Sequence, residues 1–167
     1  CSAAPRHRGV ITDLDVTRCV LEYLRDHRAG ARIVELPPHV RDADRVFRES
    51  GYADLARRFG VELIDPERRD GFVPRGALLP GVPFRVARSA LEADGVINLP
   101  KIKTHRRAFY TGAVKNLVGL TDMRTRHLMH VTGLQRALAD LYLALESAIV
   151  LNVADAVVAM EGDGPTR

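Results

Sequence analysis

The sequence predicts an α/β domain, a mostly parallel sheet with helices packed on it, in a single unit. Three observations carry this. The short apolar runs "ARIVEL", "VELID", "GVINLPKI" and "AIVLNVADAVVAM" read as strands. Between them lie segments whose apolar residues recur at helical spacing. Strands alternating with helices favour parallel strands joined by right-handed crossovers, so the segments around Ile33, Leu63, Ile97 and Leu151 are expected in one sheet.

Taken in order, Asp13, Leu14 and Asp15 offer a helix N-cap ahead of "VTRCVLEYLRDH", in which Val16, Cys19, Val20 and Tyr23 share a helical spacing. Gly30 ends that helix, and "ARIVEL" follows as a strand closed by Pro37 and Pro38. "DADRVFRESGYADLARRFG" predicts two helical pieces broken near Gly51, with Val46, Phe47, Leu55 and Phe59 as core positions. "VELID" is the second strand, ended by Pro66. Residues 67–83 are charged and then rich in Gly and Pro, which predicts a connection or a short irregular hairpin. "FRVARSALEAD" reads as a strand end with one or two helical turns, and "GVINLPKI" as the third strand. "TGAVKNLVGL" opens a helix, and "HLMHVTGLQRALADLYLALES" is a long one with Leu134, Leu138, Leu141 and Leu145 along one face. "AIVLNVADAVVAM" is the fourth strand with its exit.

A chain of 167 residues, 46% hydrophobic and 28% charged, fits one globular domain able to bury its own core. Cys1 and Cys19 make neither a metal-ligand spacing nor a disulfide framework, so a reducing, cytoplasmic setting is expected. No apolar run is long enough to span a bilayer and no secretory signal opens the chain, so no membrane partner is expected. The sequence opens on Cys1 and stops at Arg167 just after "EGDGPT", and a trimmed domain, incomplete at both ends, is the expectation. The net charge of +4 is concentrated rather than spread. Between Lys101 and His130 stand Lys101, Lys103, Arg106, Arg107, Lys115, Arg124 and Arg126 against the single acid Asp122, which leaves the rest of the chain slightly acidic. Such a focus favours an anionic partner.

In open α/β sheets, ligands sit beyond the carboxyl ends of the strands. One strand exits through "NLPKIKTH", and alternation puts Lys101, Lys103 and His105 on one side of it. "TGAVKN" follows, where Thr111 and Gly112 open a helix whose first N–H groups can meet an anion, with Lys115 and Asn116 one turn on. Neither G-x-x-x-x-G-K-[ST] nor G-x-G-x-x-G is present. His127 and His130 share a helix face three residues apart, a spacing that serves a metal pair or a base with its orienting partner. The last strand delivers Asp155, then Glu161 and Asp163 inside "MEGDGPT". The expected site therefore has His105, His130 and Asp155 as catalytic groups. Lys101, Lys103, Thr111, Gly112, Lys115, Asn116, Glu161 and Asp163 are the expected binding groups. Arg106, Arg107, Arg124 and Arg126 read as ordinary surface charges.

"NLPKIKTH", "TGAVKNLVGL" and "VADAVVAMEGDGPT" together resemble the DUF362 family, a domain of unknown function often found beside ferredoxin-like iron–sulfur segments. A fainter similarity, in the order His105, Gly112, Lys115, Gly119, His130, is to the nickel-pincer lactate racemase family. The resemblance implies a nickel or iron ion or a phosphorylated cofactor, and a ferredoxin-like partner. The chain holds no cysteine pattern for an iron–sulfur cluster of its own, and none is expected within it. The leading expectation is an enzyme-like domain that binds a small carboxylate or phosphorylated ligand, with metal- or redox-linked chemistry. A scaffold docking an acidic ferredoxin-like partner is the alternative. Nucleic acid ranks last, because only Phe109 and Tyr110 interleave the cations as stacking groups.

Overall fold

The computed structural model describes residues 9–37, 42–162 and 164. Helix α1 (Leu14–Asp26) begins where Asp13 caps it, the side chain accepting a hydrogen bond from the Asp15 N–H. Its buried face is Thr17 and Leu21, while Cys19 and Tyr23 of the expected stripe are exposed. The Thr17 hydroxyl finds the Tyr52 hydroxyl at 3.1 Å, so this face is chosen by a long-range polar contact as well as by apolar spacing. Strand β1 (Arg32–Val34) follows, then α2 (Ala43–Glu49) and α3 (Tyr52–Phe59), broken at Gly51 as expected. Gly51 has φ +84°, and a Cβ there would meet the Leu14 side chain, so both conformation and space require glycine.

Strand β2 (Glu62–Ile64) pairs parallel with β1. After the one-turn helix α4 (Pro66–Arg69), the stretch expected to be irregular forms a regular antiparallel hairpin, β3 (Phe72–Leu79) with β4 (Val82–Ala87). Pro74 and Pro83 are tolerated because a two-stranded ribbon has outer edges where no N–H is needed. The hairpin contributes Phe84 and Val86, both fully buried, to a core completed by Leu117, Met129, Leu141 and Leu145.

Helix α5 (Arg88–Glu92) leads to β5 (Val96–Asn98), β6 (Lys101–His105) and β7 (Phe109–Thr111). The one-turn helix α6 (Ala113–Asn116) runs into a 3-10 turn, Leu117–Leu120. The long helix expected from residue 127 is two helices, α7 (Met123–Thr132) and α8 (Leu134–Leu145), divided at Gly133, whose φ of +121° lies outside the helical range. On α8, Leu134, Leu138, Leu141 and Leu145 are all buried, as the spacing predicts. Strands β8 (Ile149–Asn152) and β9 (Asp155–Met160) close the described chain.

The fold is mixed α/β, but the single mostly parallel sheet is not formed. Strands pair as β1–β2, β3–β4, β5–β8 and β7–β6–β9, with β3–β4 and β6–β7 antiparallel. Pro100 explains one break: it has no N–H to donate, so "GVINLPKI" divides into β5 and β6. Pairing nevertheless carries across the gap. The Val153 N–H donates to Asn98 O at 2.9 Å and the Asp155 N–H to Pro100 O at 2.8 Å, linking the β5–β8 ladder to the β6–β9 ladder. This interrupted parallel pair positions the polar groups described next.

Candidate functional site

Lys101 begins β6 in register with Asp155 at the start of β9. Its ammonium donates to Asp155 Oδ2 at 2.7 Å, with both side chains buried. The same carboxylate accepts from the Asp13 N–H at 2.6 Å and the Val157 N–H at 2.9 Å. Burial alone would raise the Asp155 pKa, but the Lys101 hydrogen bond and the two backbone donors outweigh it and hold the carboxyl below its ordinary value. Lys101 and Asp155, expected on opposite sides of a ligand, thus neutralise each other. They pin the α1 N-terminus to the sheet, at the opposite end of β6 from His105.

Two residues along, Lys103 has no carboxylate hydrogen-bonded to it among the described residues. Its ammonium donates to Val10 O at 2.8 Å, and burial lowers its pKa against the opposing pull of Glu35. Across the antiparallel ladder Lys103 faces Thr111, so the two side chains share a sheet face. Thr111 is 7% exposed, and its hydroxyl oxygen is buried without a hydrogen-bond partner. Orphaned buried hydroxyls are uncommon and point to an unseen acceptor or donor.

His105 ends β6 on the same side as Lys103. Its Nδ1 accepts the N–H groups of Arg107 at 3.2 Å and Ala108 at 3.1 Å, which leaves the ring proton on Nε2. Burial first, and then the charges of Lys115, His130, Lys103 and Arg107, lower its pKa to about 4, so at neutral pH His105 is an uncharged donor. His130, half-buried on α7, is held the other way round. Its Nδ1 lies 2.7 Å from Arg126 O, a carbonyl that can only accept, so Nδ1 carries a proton and, in the neutral ring, Nε2 presents the lone pair. His127, three residues earlier, is exposed.

Lys115 sits on α6, and burial, then Arg126 and Lys103, lower its pKa to about 8. Among the described residues its ammonium has no hydrogen-bond or ion-pair partner. Arg126 is buried rather than a surface charge: its guanidinium donates to Thr121 O at 3.0 Å, Leu36 O at 2.9 Å and Gly119 O at 3.0 Å. Five donors in a planar fork suit this triple backbone clamp, and Arg126 falls on the buried face of α7 with Thr125 and Met129. Glu35, just past β1, is the acid whose charge reaches both Lys103 and Arg126, and sequence reasoning missed it.

Other expected binding groups are placed differently. Asn116 donates its amide to Asn98 Oδ1 at 2.8 Å, and Asn98 donates in turn to Asn152 Oδ1 at 2.8 Å and Ala113 O at 2.9 Å. This chain of amides ties α6 to β5 and β8. Gly112 is covered by the Tyr110 ring, which a Cβ would strike. The helix it opens is a single turn, so its N-terminus is no anion site of the kind expected. Glu161 is exposed beyond β9, and Asp163 lies outside the described residues. The residues brought together are therefore Lys103, His105, Thr111, Lys115 and His130, with Arg126 and Glu35 behind them.

The "NLPKIKTH" and "TGAVKNLVGL" segments thus meet at one place. The family model described as "Domain of unknown function (DUF362)" matches residues 1–167. The chain belongs to the DUF362 family. A relative, thylakoid-associated protein sll1697 of Synechocystis sp., is 34% identical over 86 residues, covering 49% of this chain and 27% of the relative. The match thus spans about a quarter of that protein's length. Among the described residues of this DUF362 domain, no helix is long and apolar enough to cross a membrane. Nor do three or more His, Cys, Asp or Glu gather there to hold a metal. The His105 Nδ1 lone pair is already used and the Lys103 and Lys115 ammoniums stand nearby, so the described residues around His105 do not fit a nickel or iron ion.

Proposed function

We propose that this DUF362 domain binds a small anionic substrate or cofactor, a carboxylate or a phosphorylated compound, against β6, β7 and α6. The observation that carries the reading is the orphaned Thr111 hydroxyl directly across from Lys103. Around it the unspent groups are donors: the Lys103 and Lys115 ammoniums and the His105 Nε2–H. A ligand of acceptor oxygens would satisfy them together, with charge-assisted bonds at both lysines. Chemistry on that ligand would fall to the imidazoles. His105 would polarise it as a neutral donor, and the His130 Nε2 lone pair would take or return a proton.

A second reading rests on the turn between β6 and β7. Arg106, Arg107, Phe109 and Tyr110 are exposed there, Phe109 at 79%. A basic tip with an exposed ring suits an acidic protein surface such as a ferredoxin-like partner. A line of nucleic-acid phosphates suits it less, because Lys103 and Lys115 are recessed. A cytoplasmic location is part of the proposal; the Synechocystis relative is named for its association with thylakoids, and cell fractionation tests where this domain resides.

The test titrates phosphate, lactate and a short oligonucleotide at two salt concentrations, on wild type and Lys115→Ala. Binding of a small anion that is lost in the variant is expected. Tight oligonucleotide binding that grows with length and ignores Lys115→Ala would overturn the proposal.

A further inference from the structure

Resting on that anion-binding reading, we infer that the site selects a doubly charged phosphoryl group, the terminal phosphate of a monoester, over a carboxylate or any monoanion. The first argument counts donors. Lys103 has spent one N–H on Val10 O and keeps two, Lys115 keeps three, and His105 Nε2 and the Thr111 hydroxyl add one each. A carboxylate offers about four lone-pair sites, whereas a phosphoryl group brings three strongly accepting oxygens and a second negative charge.

The second argument counts charge. Two ammoniums, Lys103 and Lys115, stand within each other's field, and the Arg126 guanidinium behind them is spent on backbone carbonyls that cancel none of its charge. Glu35 is the acid whose field reaches Lys103, and the Asp155 carboxylate on the paired strand β9 is taken by Lys101. Glu35 offsets part of the Lys103 charge while Arg126 adds its own at Lys115, so a monoanion would leave excess positive charge in a partly dry site. A dianion compensates more of that excess, and partial burial makes the difference larger than it would be in water. Lys103 and Thr111 come from paired strands, His105 from the strand end and Lys115 from the helix, so the donors are supplied by three separate elements and not by one edge.

The test compares methyl phosphate, methyl sulfate and lactate by calorimetry between pH 5 and 7 at constant ionic strength. Methyl phosphate and methyl sulfate share a shape, but only the phosphate gains its second charge in this range, with a pKa of about 6. His105 at about 4 and Lys115 at about 8 hold their states there. The methyl sulfate arm reports any pH effect that comes from the protein instead of the ligand. Methyl phosphate is expected to tighten roughly tenfold from pH 5 to 7 while the other two stay flat and weaker, the population of dianion rising by that order across its pKa. Lys103→Gln should bring methyl phosphate down to the methyl sulfate level, with circular dichroism confirming the fold. Lactate or methyl sulfate binding within twofold of methyl phosphate at pH 7 would overturn the dianion inference and leave anion binding intact. Binding of none of the three would overturn both.

Discussion

Lys115→Met separates stability from binding at one side chain. The folded protein holds this ammonium partly buried and, among the described residues, without an ion-pair partner, and its pKa falls from 10.5 to about 8. At about 1.4 kcal/mol per pH unit, the charged form is about 3 kcal/mol more costly in the folded state than in the unfolded chain. Methionine keeps much of the stem's length and apolar contact while removing the charge. The ligand-free variant should therefore be more stable than wild type at pH 7, by as much as about 3 kcal/mol, although residual solvent access will reduce this. For a chain of this size that corresponds to a midpoint higher by up to about 6–12 °C. The dependence on pH has a definite sign. Between pH 8 and 10.5 the unfolded chain binds more protons at this residue than the folded protein does, so wild-type stability rises through that window and the variant's advantage disappears. Anion binding should fail in Lys115→Met at every pH, and in wild type it should weaken as pH rises through 8. Thermal unfolding of both proteins at pH 7 and pH 10.5, with and without phosphate, measures all of this. A variant less stable than wild type at pH 7, or a difference that ignores pH, would show that Lys115 is paired by the protein and that no ligand is needed to explain it.

Lys101→Met leaves Asp155 buried without its cation and should cost about 3–5 kcal/mol by urea denaturation. In wild type, the stabilisation from Asp155 is present above the ordinary carboxyl value of 3.8 and is lost as pH falls through its lower folded value; Asp155→Asn should abolish that acid-limb contribution. Thr111→Val removes a buried hydroxyl with no partner, so the ligand-free protein should gain about 1 kcal/mol while anion affinity falls; a loss of stability would mean that the hydroxyl is satisfied. Gly51→Ala meets both a left-handed φ and the Leu14 side chain and should destabilise by about 1–3 kcal/mol, with anion affinity per folded molecule unchanged.

Much of the local structure is legible in the sequence. The cap at Asp13, the break at Gly51 and the buried leucine face of α8 all follow from neighbouring residues, because capping, backbone freedom and helical spacing act over a few positions. The errors occur where a distant contact overrides spacing. Thr17 turns inward to meet Tyr52, thirty-five residues on, and the stripe expected on Val16, Cys19, Val20 and Tyr23 gives way to Thr17 and Leu21. Pro100 and Gly133 were visible, yet each divides an element that the apolar pattern joins.

The sequence by itself determined that cations and imidazoles gather between Lys101 and His130, and that a strand exit and the start of a helix would present them. Only the tertiary structure decided which of them remain available. Lys101 and Lys103 are the same residue type on the same side of one strand. The first is neutralised by Asp155, fifty-four residues later, and the second faces an orphaned hydroxyl. Arg126 is likewise spent on three carbonyls while Lys115 has no partner among the described residues. Spacing along the chain specifies which side of a strand or helix a group occupies. Whether its charge is already compensated depends on what the fold brings opposite, and that choice leaves an excess of buried donors at one place.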